Sequence, residues 1–285
     1  MSGLRETIRR RGGLELTSRV VGGLWVVGER TVPEKPSPYN AAATAALKDA
    51  FPTQWPTIRD YGYRHPEIVP YVNANPLRWA ISILYGGDHL QELFSTYQMC
   101  EYIEATGSQY INSGIYPTQE TGFDIDYVMK NPVSTSGFGT LIGCRHGWNT
   151  TNARCYELTT YNGVPRCSES GGFGFGDALV NAGFVKDAPQ NQKMINQVYT
   201  NALGVTTTFT ENFTVAYPLH IFAMNGSEKG KGEISKLILY GGSTPIADYH
   251  PVYRKSDGVI GLFDPIRNRF DVNGGSGTFL KGQDV

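Results

Sequence analysis

The stretch that decides the fold runs Glu101-Tyr-Ile-Glu-Ala-Thr-Gly-Ser-Gln-Tyr-Ile-Asn-Ser-Gly114. Tyr and Ile stand side by side in it twice, and both residue types favour β-strands. We predict one strand over residues 102–104 and a second over 110–112, folded back as a hairpin at 106–108, where Gly107 permits a positive φ. Prolines and helical fragments precede this stretch, and strand-like segments follow it. A β domain is therefore predicted to begin near residue 98.

A second stretch closes the same region. It runs Arg254-Lys-Ser-Asp-Gly-Val-Ile-Gly-Leu-Phe-Asp264, and a glycine-rich end follows Phe270. Together the two stretches resemble the opening and the close of LamG/concanavalin A-like jelly-roll domains from phage and prophage proteins of gut bacteria. The resemblance spans residues 98–281. It implies a mainly β fold, an antiparallel jelly-roll β-sandwich whose first and last strands meet in one sheet, and a usual setting in virion fibres and capsid decoration proteins.

Composition limits the classes of function. The chain has 285 residues, with 34 Gly and 17 Tyr, which suits a turn-rich β protein. Its net charge of −1 argues against general attraction to nucleic acid. No apolar run approaches the roughly 20 residues of a membrane helix, and we read no secretion signal at the start, which predicts assembly in the bacterial cytoplasm.

Residues 1–97 are predicted to be an extended attachment segment with short helices, and residues 98–285 the sandwich domain. Prolines recur between residues 33 and 70 and prevent long regular elements. One helix fits between them over Ala41–Ala50, with Asn40 as its N-cap. Further short helices are predicted over 77–85 and 89–97.

The first thirty residues contain a candidate assembly arm. Its residues are a basic cluster and part of an apolar strand predicted over 20–27: Arg9, Arg10, Arg11, Leu24 and Trp25. One interpretation is a solvated tail followed by a docked strand. The other is an arm that inserts into a neighbouring subunit, where the arginines meet acidic protein or nucleic acid. The sequence leaves both open.

From residue 98 onward, strands recur at the spacing of a sandwich. Residues 123–129 alternate apolar and polar side chains, which predicts one buried face. Residues 140–145 and 154–160 are predicted to pair across a turn at 149–152. The last part is predicted to be a meander, with an Asp257-Gly258 turn between two of its strands.

The enzyme hypothesis finds no support in the carboxylates. A retaining glycosidase needs two carboxyl groups about 5–5.5 Å apart. The nearest pair on one strand is Asp124 and Asp126, which we interpret as the solvated face of that strand. No serine or cysteine nucleophile motif accompanies the histidines, and the cysteines lack zinc-site spacing. We predict no catalytic residue, no metal ligand and no cofactor. Calcium is implied only by the resemblance.

Glycan binding is the next hypothesis. Exposed aromatic rings beside polar loop groups can stack on sugars, and one loop region offers such residues: Trp148, Asn149, Tyr156 and Tyr161. The competing interpretation is that Trp148 caps the sandwich core.

The sequence favours a structural role. We expect a non-enzymatic virion protein, anchored through residues 1–97 to other virion proteins or to sister subunits, that displays the sandwich and binds surface glycans. We expect a homo-oligomer, no membrane partner and no nucleic acid. The alternative is a carbohydrate-binding module or a glycoside-active enzyme of a bacterial host.

Overall fold

The fold was analysed in a computed structural model that describes residues 7–11, 14–21, 24–31, 34–130, 138–146, 154–161, 164–170, 179–180, 183, 185–210 and 215–285. The chain divides into two compact units, Met1–Ala74 and Asn75–Val285. Across the described residues strands predominate, and their pairing within the three sheets is antiparallel. The predicted mainly β class is confirmed.

The N-terminal unit starts with a three-stranded meander. Its strands, in the order β1-β2-β3, are β1 (Thr7–Arg11), β2 (Leu14–Val21) and β3 (Leu24–Thr31). The strand predicted over residues 20–27 is instead a hairpin, because Val21 pairs with Leu24 and Val20 with Trp25. The arm residues Arg9, Arg10 and Arg11 all lie in β1.

The described part of this unit also contains three α-helices, α1 (Ala41–Ala50), α2 (Trp55–Arg64) and α3 (Val69–Ala74), and a 3₁₀ turn (Pro66–Ile68). The capping prediction is correct, since Asn40 Oδ1 accepts a hydrogen bond from the Ala43 amide at 2.8 Å. Tyr39, which precedes α1, is held to α2 because its hydroxyl donates to the Ile58 carbonyl at 2.7 Å. Residues 41–74 therefore consist mainly of short helices, which follow the non-helical residues 34–40. Pro56, Pro66 and Pro70 are tolerated because each stands in the first turn of a helix.

The second unit opens with α4 (Pro76–Ile81), a π-helical turn (Ser82–Gly86), a 3₁₀ turn (Gly87–His89) and α5 (Leu90–Thr96). The structural division therefore falls at residue 75 and not near 98. The reason is that α4 packs on the sandwich: Arg78 donates to the Ser235 and Tyr249 carbonyls, at 3.0 Å each. Within the described residues, no helix combines the length and the apolar character needed to cross a membrane.

Two sheets form the sandwich. The described strands of the smaller sheet follow the order β11-β10-β9-β8-β15-β6. Its strands are β6 (Ile111–Asn112), β8 (Phe138–His146), β9 (Arg154–Tyr161), β10 (Val164–Ser170), β11 (Leu179–Val180) and β15 (His220–Ile221). The predicted pairing of residues 140–145 with 154–160 is confirmed.

The larger sheet follows the order β14-β13-β12-β7-β16-β17-β18-β19, with β4 beside β17, and with β5 between β16 and β20. Its strands are β4 (Tyr97–Met99), β5 (Ile103–Thr106), β7 (Thr121–Met129), β12 (Pro189–Ile195), β13 (Val198–Thr200), β14 (Thr206–Thr208), β16 (Lys231–Gly241), β17 (Thr244–Arg254), β18 (Ile260–Asp264), β19 (Arg269–Val272) and β20 (Leu280–Lys281).

One apolar core lies between these sheets. Phe123 and Ile125 of β7 point into it from the larger sheet, and Ile142 and Leu158 point into it from the smaller sheet. The alternation predicted for residues 123–129 is confirmed, since apolar side chains are buried at every second position. The predicted C-terminal meander is confirmed as β17-β18-β19.

The opening stretch is not a hairpin. β5 pairs with β16 and β20 in the larger sheet, whereas β6 pairs with β15 in the smaller one. Residues 107–110 therefore cross from one sheet to the other, and Gly107 adopts a φ of 104° at the start of the crossing. The predicted meeting of the two ends of the domain is confirmed, because β20 lies directly beside β5.

Candidate functional site

The predicted glycan-binding residues do not form one described site. Trp148 and Asn149 lie outside the described residues, and Tyr161 is the last residue of β9. Tyr156 belongs to the core: it is 1% exposed, and its hydroxyl donates to the Thr121 carbonyl at 3.1 Å. A ring buried between two sheets cannot stack on a sugar, so Tyr156 is not a binding residue.

A buried polar cluster joins α4 and the π-helical turn to β17. It contains Arg78, Ser82, Asp248 and His250, and the last three are at most 2% exposed. Ser82 Oγ lies 3.2 Å from His250 Nε2, and Asp248 Oδ2 lies 3.1 Å from the same nitrogen. Trp79 covers the imidazole, with ring centroids 4.8 Å apart.

This geometry does not activate the serine. Nη2 of Arg78 lies 3.4 Å from His250 Nδ1, so an arginine occupies the side of the imidazole where a catalytic triad has its aspartate, and Asp248 shares Nε2 with Ser82. A catalytic triad needs a free Nε2 to take the serine proton, and an aspartate on Nδ1. Ser82 instead donates to Asp248. The cluster is a structural network between helix and sheet.

A second network holds the turn after β15 against the smaller sheet. Arg145 contacts Glu157 at 3.2 Å and Glu228 at 3.3 Å. Asn225 bonds both the amide and the carbonyl of Arg145. Burial raises the pKa of Glu228, and the charge of Glu157 adds to the rise, although Arg145 opposes it. This arrangement secures the turn to β8 and β9.

The outward face of the larger sheet carries paired charges. Lys236 contacts Asp124 at 2.8 Å and Asp126 at 3.1 Å, and Asn191 Nδ2 donates to both carboxylates. Asp124 and Asp126 are thus on the outward face, as interpreted from the sequence, and are held in ion pairs. Across the described residues, no grouping of three or more His, Cys, Asp or Glu side chains is placed to hold a metal ion.

A cleft of about 490 Å³ lies beside these ion pairs. Its floor is formed by β7 and β16, one wall by the start of β12, and the other wall by the two residues before β5. Its polar and aromatic lining includes Glu101, Tyr102, Asp126, Gln190, Asn191 and Glu233.

Sequence reasoning missed this cleft. Its residues come from four separate segments, which are brought together by the pairing of β7 with β12 and β16 and by the pairing of β16 with β5. Tyr102 was interpreted as part of a strand, and Asp126 only as a solvated carboxylate. No local pattern marks them as neighbours, so the sequence contains no signal that would have found the cleft.

We compared the chain with protein-family models, curated proteins and solved structures, and found no match in any of the three.

Proposed function

We propose that the chain is a non-enzymatic structural protein of a bacteriophage particle. Its N-terminal segment attaches to other particle proteins or to sister subunits, and its LamG-like jelly-roll domain is displayed. The support for this setting is the resemblance of the two end stretches to phage and prophage domains. The proposal includes assembly in the host bacterial cytoplasm and a homo-oligomeric state.

The observation that carries the proposal is the closure of the sandwich at one edge. β5 lies between β16 and β20, so a strand near the start of the domain and its last strand are neighbours. The Glu101 amide donates to the Gln283 carbonyl at 2.9 Å, and the Val285 amide to the Met99 carbonyl at 3.1 Å. Because the two ends of the domain are fixed at one edge, the domain can be attached through that edge while the rest of its surface stays exposed.

The N-terminal meander supports the attachment role. Among the described strands, β1 and β3 pair only with β2, so each has an outer edge of backbone groups. Such edges accept a further strand from another chain. The arginines at residues 9–11 lie on β1, one of these edges.

The test compares the full chain with a chain that starts at Asn75. We expect light scattering to show an oligomer for the full chain and a monomer for the shortened one. We also expect mass spectrometry of gradient-purified phage particles to detect the chain. Monomers in both cases, together with absence from the particles, would contradict the proposal.

A further inference from the structure

The cleft lies where the larger sheet divides, at the point where the partner of β16 changes from β5 to β17. β16 pairs with β5 through residues 231–234 and with β17 from Leu237 onward, which leaves Ser235 and Lys236 at the division. A register shift between Ile234 and Lys236 marks a bulge against β7 at the same point. Bulges re-aim side chains and often lie beside binding sites. The volume of about 490 Å³ is within the range of small-ligand sites.

The polar groups of the cleft are held in place. Asp126 accepts from Asn191 at 2.6 Å and pairs with Lys236 at 3.1 Å. Glu233 pairs with Lys130, which also contacts Glu104 at 3.0 Å. Because these side chains are already ordered, a ligand would not bear the entropy cost of immobilising them.

The same pairs set the charge. Asp124 and Asp126 share Lys236, and Glu104 and Glu233 share Lys130, so the cleft offers hydrogen-bond acceptors and keeps an excess of negative charge. Glu101 adds a carboxylate at the exposed rim. An anionic ligand therefore meets an excess of negative charge, whereas a neutral ligand with hydroxyl groups finds acceptors for its hydrogens.

Tyr102 provides the apolar wall. Its side chain is half-buried, and the backbone at Gly282 lies so close that an added Cβ would be 2.8 Å from Tyr102 Cε1. Gly282 therefore lets the C-terminal strand fix the ring in position. Aromatic rings offer an apolar face beside polar groups, and this combination suits a ligand with C–H faces and many hydroxyls.

We infer that this cleft binds a neutral saccharide, which stacks on Tyr102 and donates hydroxyl hydrogens to Glu101, Asp126 and Glu233. This ligand deepens the proposed function of the displayed domain, but its evidence is the geometry of the cleft and not the attachment of the N-terminal segment. Saccharide binding tests the cleft, whereas oligomerisation and particle association test the attachment, so either can fail while the other holds.

The experiment applies the labelled full chain to an array of neutral, sialylated and sulfated oligosaccharides. We expect retention on neutral glycans and little on anionic ones. Titration calorimetry with the best neutral oligosaccharide should then show that Tyr102→Ala weakens binding at least about tenfold, the equivalent of 1.4 kcal/mol. Tyr102→Phe should keep the affinity within about threefold, since it preserves the ring.

Tyr116→Ala is the matched control, because Tyr116 is 58% exposed and does not line the cleft. Its affinity should equal that of the unmodified chain. Thermal unfolding of each variant separates loss of binding from loss of fold. Glu101→Gln changes an exposed carboxylate without disturbing the core, and its effect on saccharide affinity is a second test of the cleft. The inference is overturned if no neutral glycan is retained, if anionic glycans bind best, or if folded Tyr102→Ala binds normally.

Discussion

At the scale of single residues, Asp248 shows how neighbours decide whether a buried charge is tolerated. Its side chain has no exposed surface, and burial opposes its ionisation. The attraction and hydrogen bond of His250, with Arg78 and Ser82, outweigh that effect and lower the pKa of Asp248. Because the Arg78 side chain is only 14% exposed and its Nε lies 4.0 Å from Asp248 Oδ1, each of the two charges stabilises the other.

This coupling predicts a pH dependence for the stability. The pKa of Asp248 is lower in the folded than in the unfolded state, so its contribution is present above the unfolded pKa of about 3.9 and is lost as the pH falls through the folded value. We expect Asp248→Asn to reduce the free energy of unfolding by about 3–5 kcal/mol at pH 7, because it leaves Arg78 buried without a counter-charge. The loss should be smaller at pH 3.

Denaturant unfolding at both pH values measures the effect. Asp49→Asn is the matched control, since Asp49 is exposed at the end of α1, and it should change stability by less than about 0.5 kcal/mol. Parallel pH curves for the unmodified chain and Asp248→Asn would disprove the coupling.

At the scale of elements, the crossing between β5 and β6 depends on one buried amide. Gln109 is 3% exposed, and its Oε1 accepts from the Thr106 amide at 2.9 Å and from the Ser108 amide at 3.3 Å. Its Nε2 donates to the Thr278 carbonyl at 2.8 Å, on the segment that leads into β20. The side chain therefore joins the crossing to the C-terminal end of the domain.

We predict that Gln109→Ala lowers the free energy of unfolding by about 2 kcal/mol, because the part-buried amides of Thr106 and Ser108 and the carbonyl of Thr278 lose their hydrogen-bond partner. Chemical unfolding measures this value. Gln283→Ala is the control, since Gln283 is exposed, and it should be neutral within about 0.5 kcal/mol. Equal losses in the two variants would show that Gln109 does not secure the crossing.

At the scale of the whole molecule, the domain boundary determines which shortened chain folds. A chain that starts at Asn75 keeps α4 and the π-helical turn, whereas one that starts at Gln98 removes Arg78 and Ser82 from Asp248 and His250. We predict that the chain from Asn75 unfolds cooperatively, and that the chain from Gln98 has a Tm lower by roughly 10 °C or aggregates.

Differential scanning calorimetry of the two shortened chains measures this difference, with the full chain as reference. The physical reason is that the shorter chain leaves the buried Asp248 carboxylate without its cationic partner. A Tm for the chain from Gln98 equal to that of the chain from Asn75 would place the boundary near residue 98 after all.

Local chemistry made several elements predictable. Asn40 followed by alanines specifies the start of α1, and the alternation from Phe123 to Met129 specifies both β7 and its buried face. The helices α2 and α3 were missed, because their prolines look like breakers in sequence although Pro56 stands in the first turn of its helix. The cleft was missed because its walls are far apart along the chain.

The sequence by itself determined the mainly β class, the capped helix and the C-terminal meander, since each follows from local propensity, and the meeting of the domain's two ends was an expectation from the resemblance of its end stretches. The tertiary structure alone decided that β5 and β6 lie in different sheets, that α4 belongs to the sandwich, and that Tyr102 and Asp126 share a cleft. These features depend on pairing between distant segments, and a local pattern describes the strand but not the partner beside which it lies.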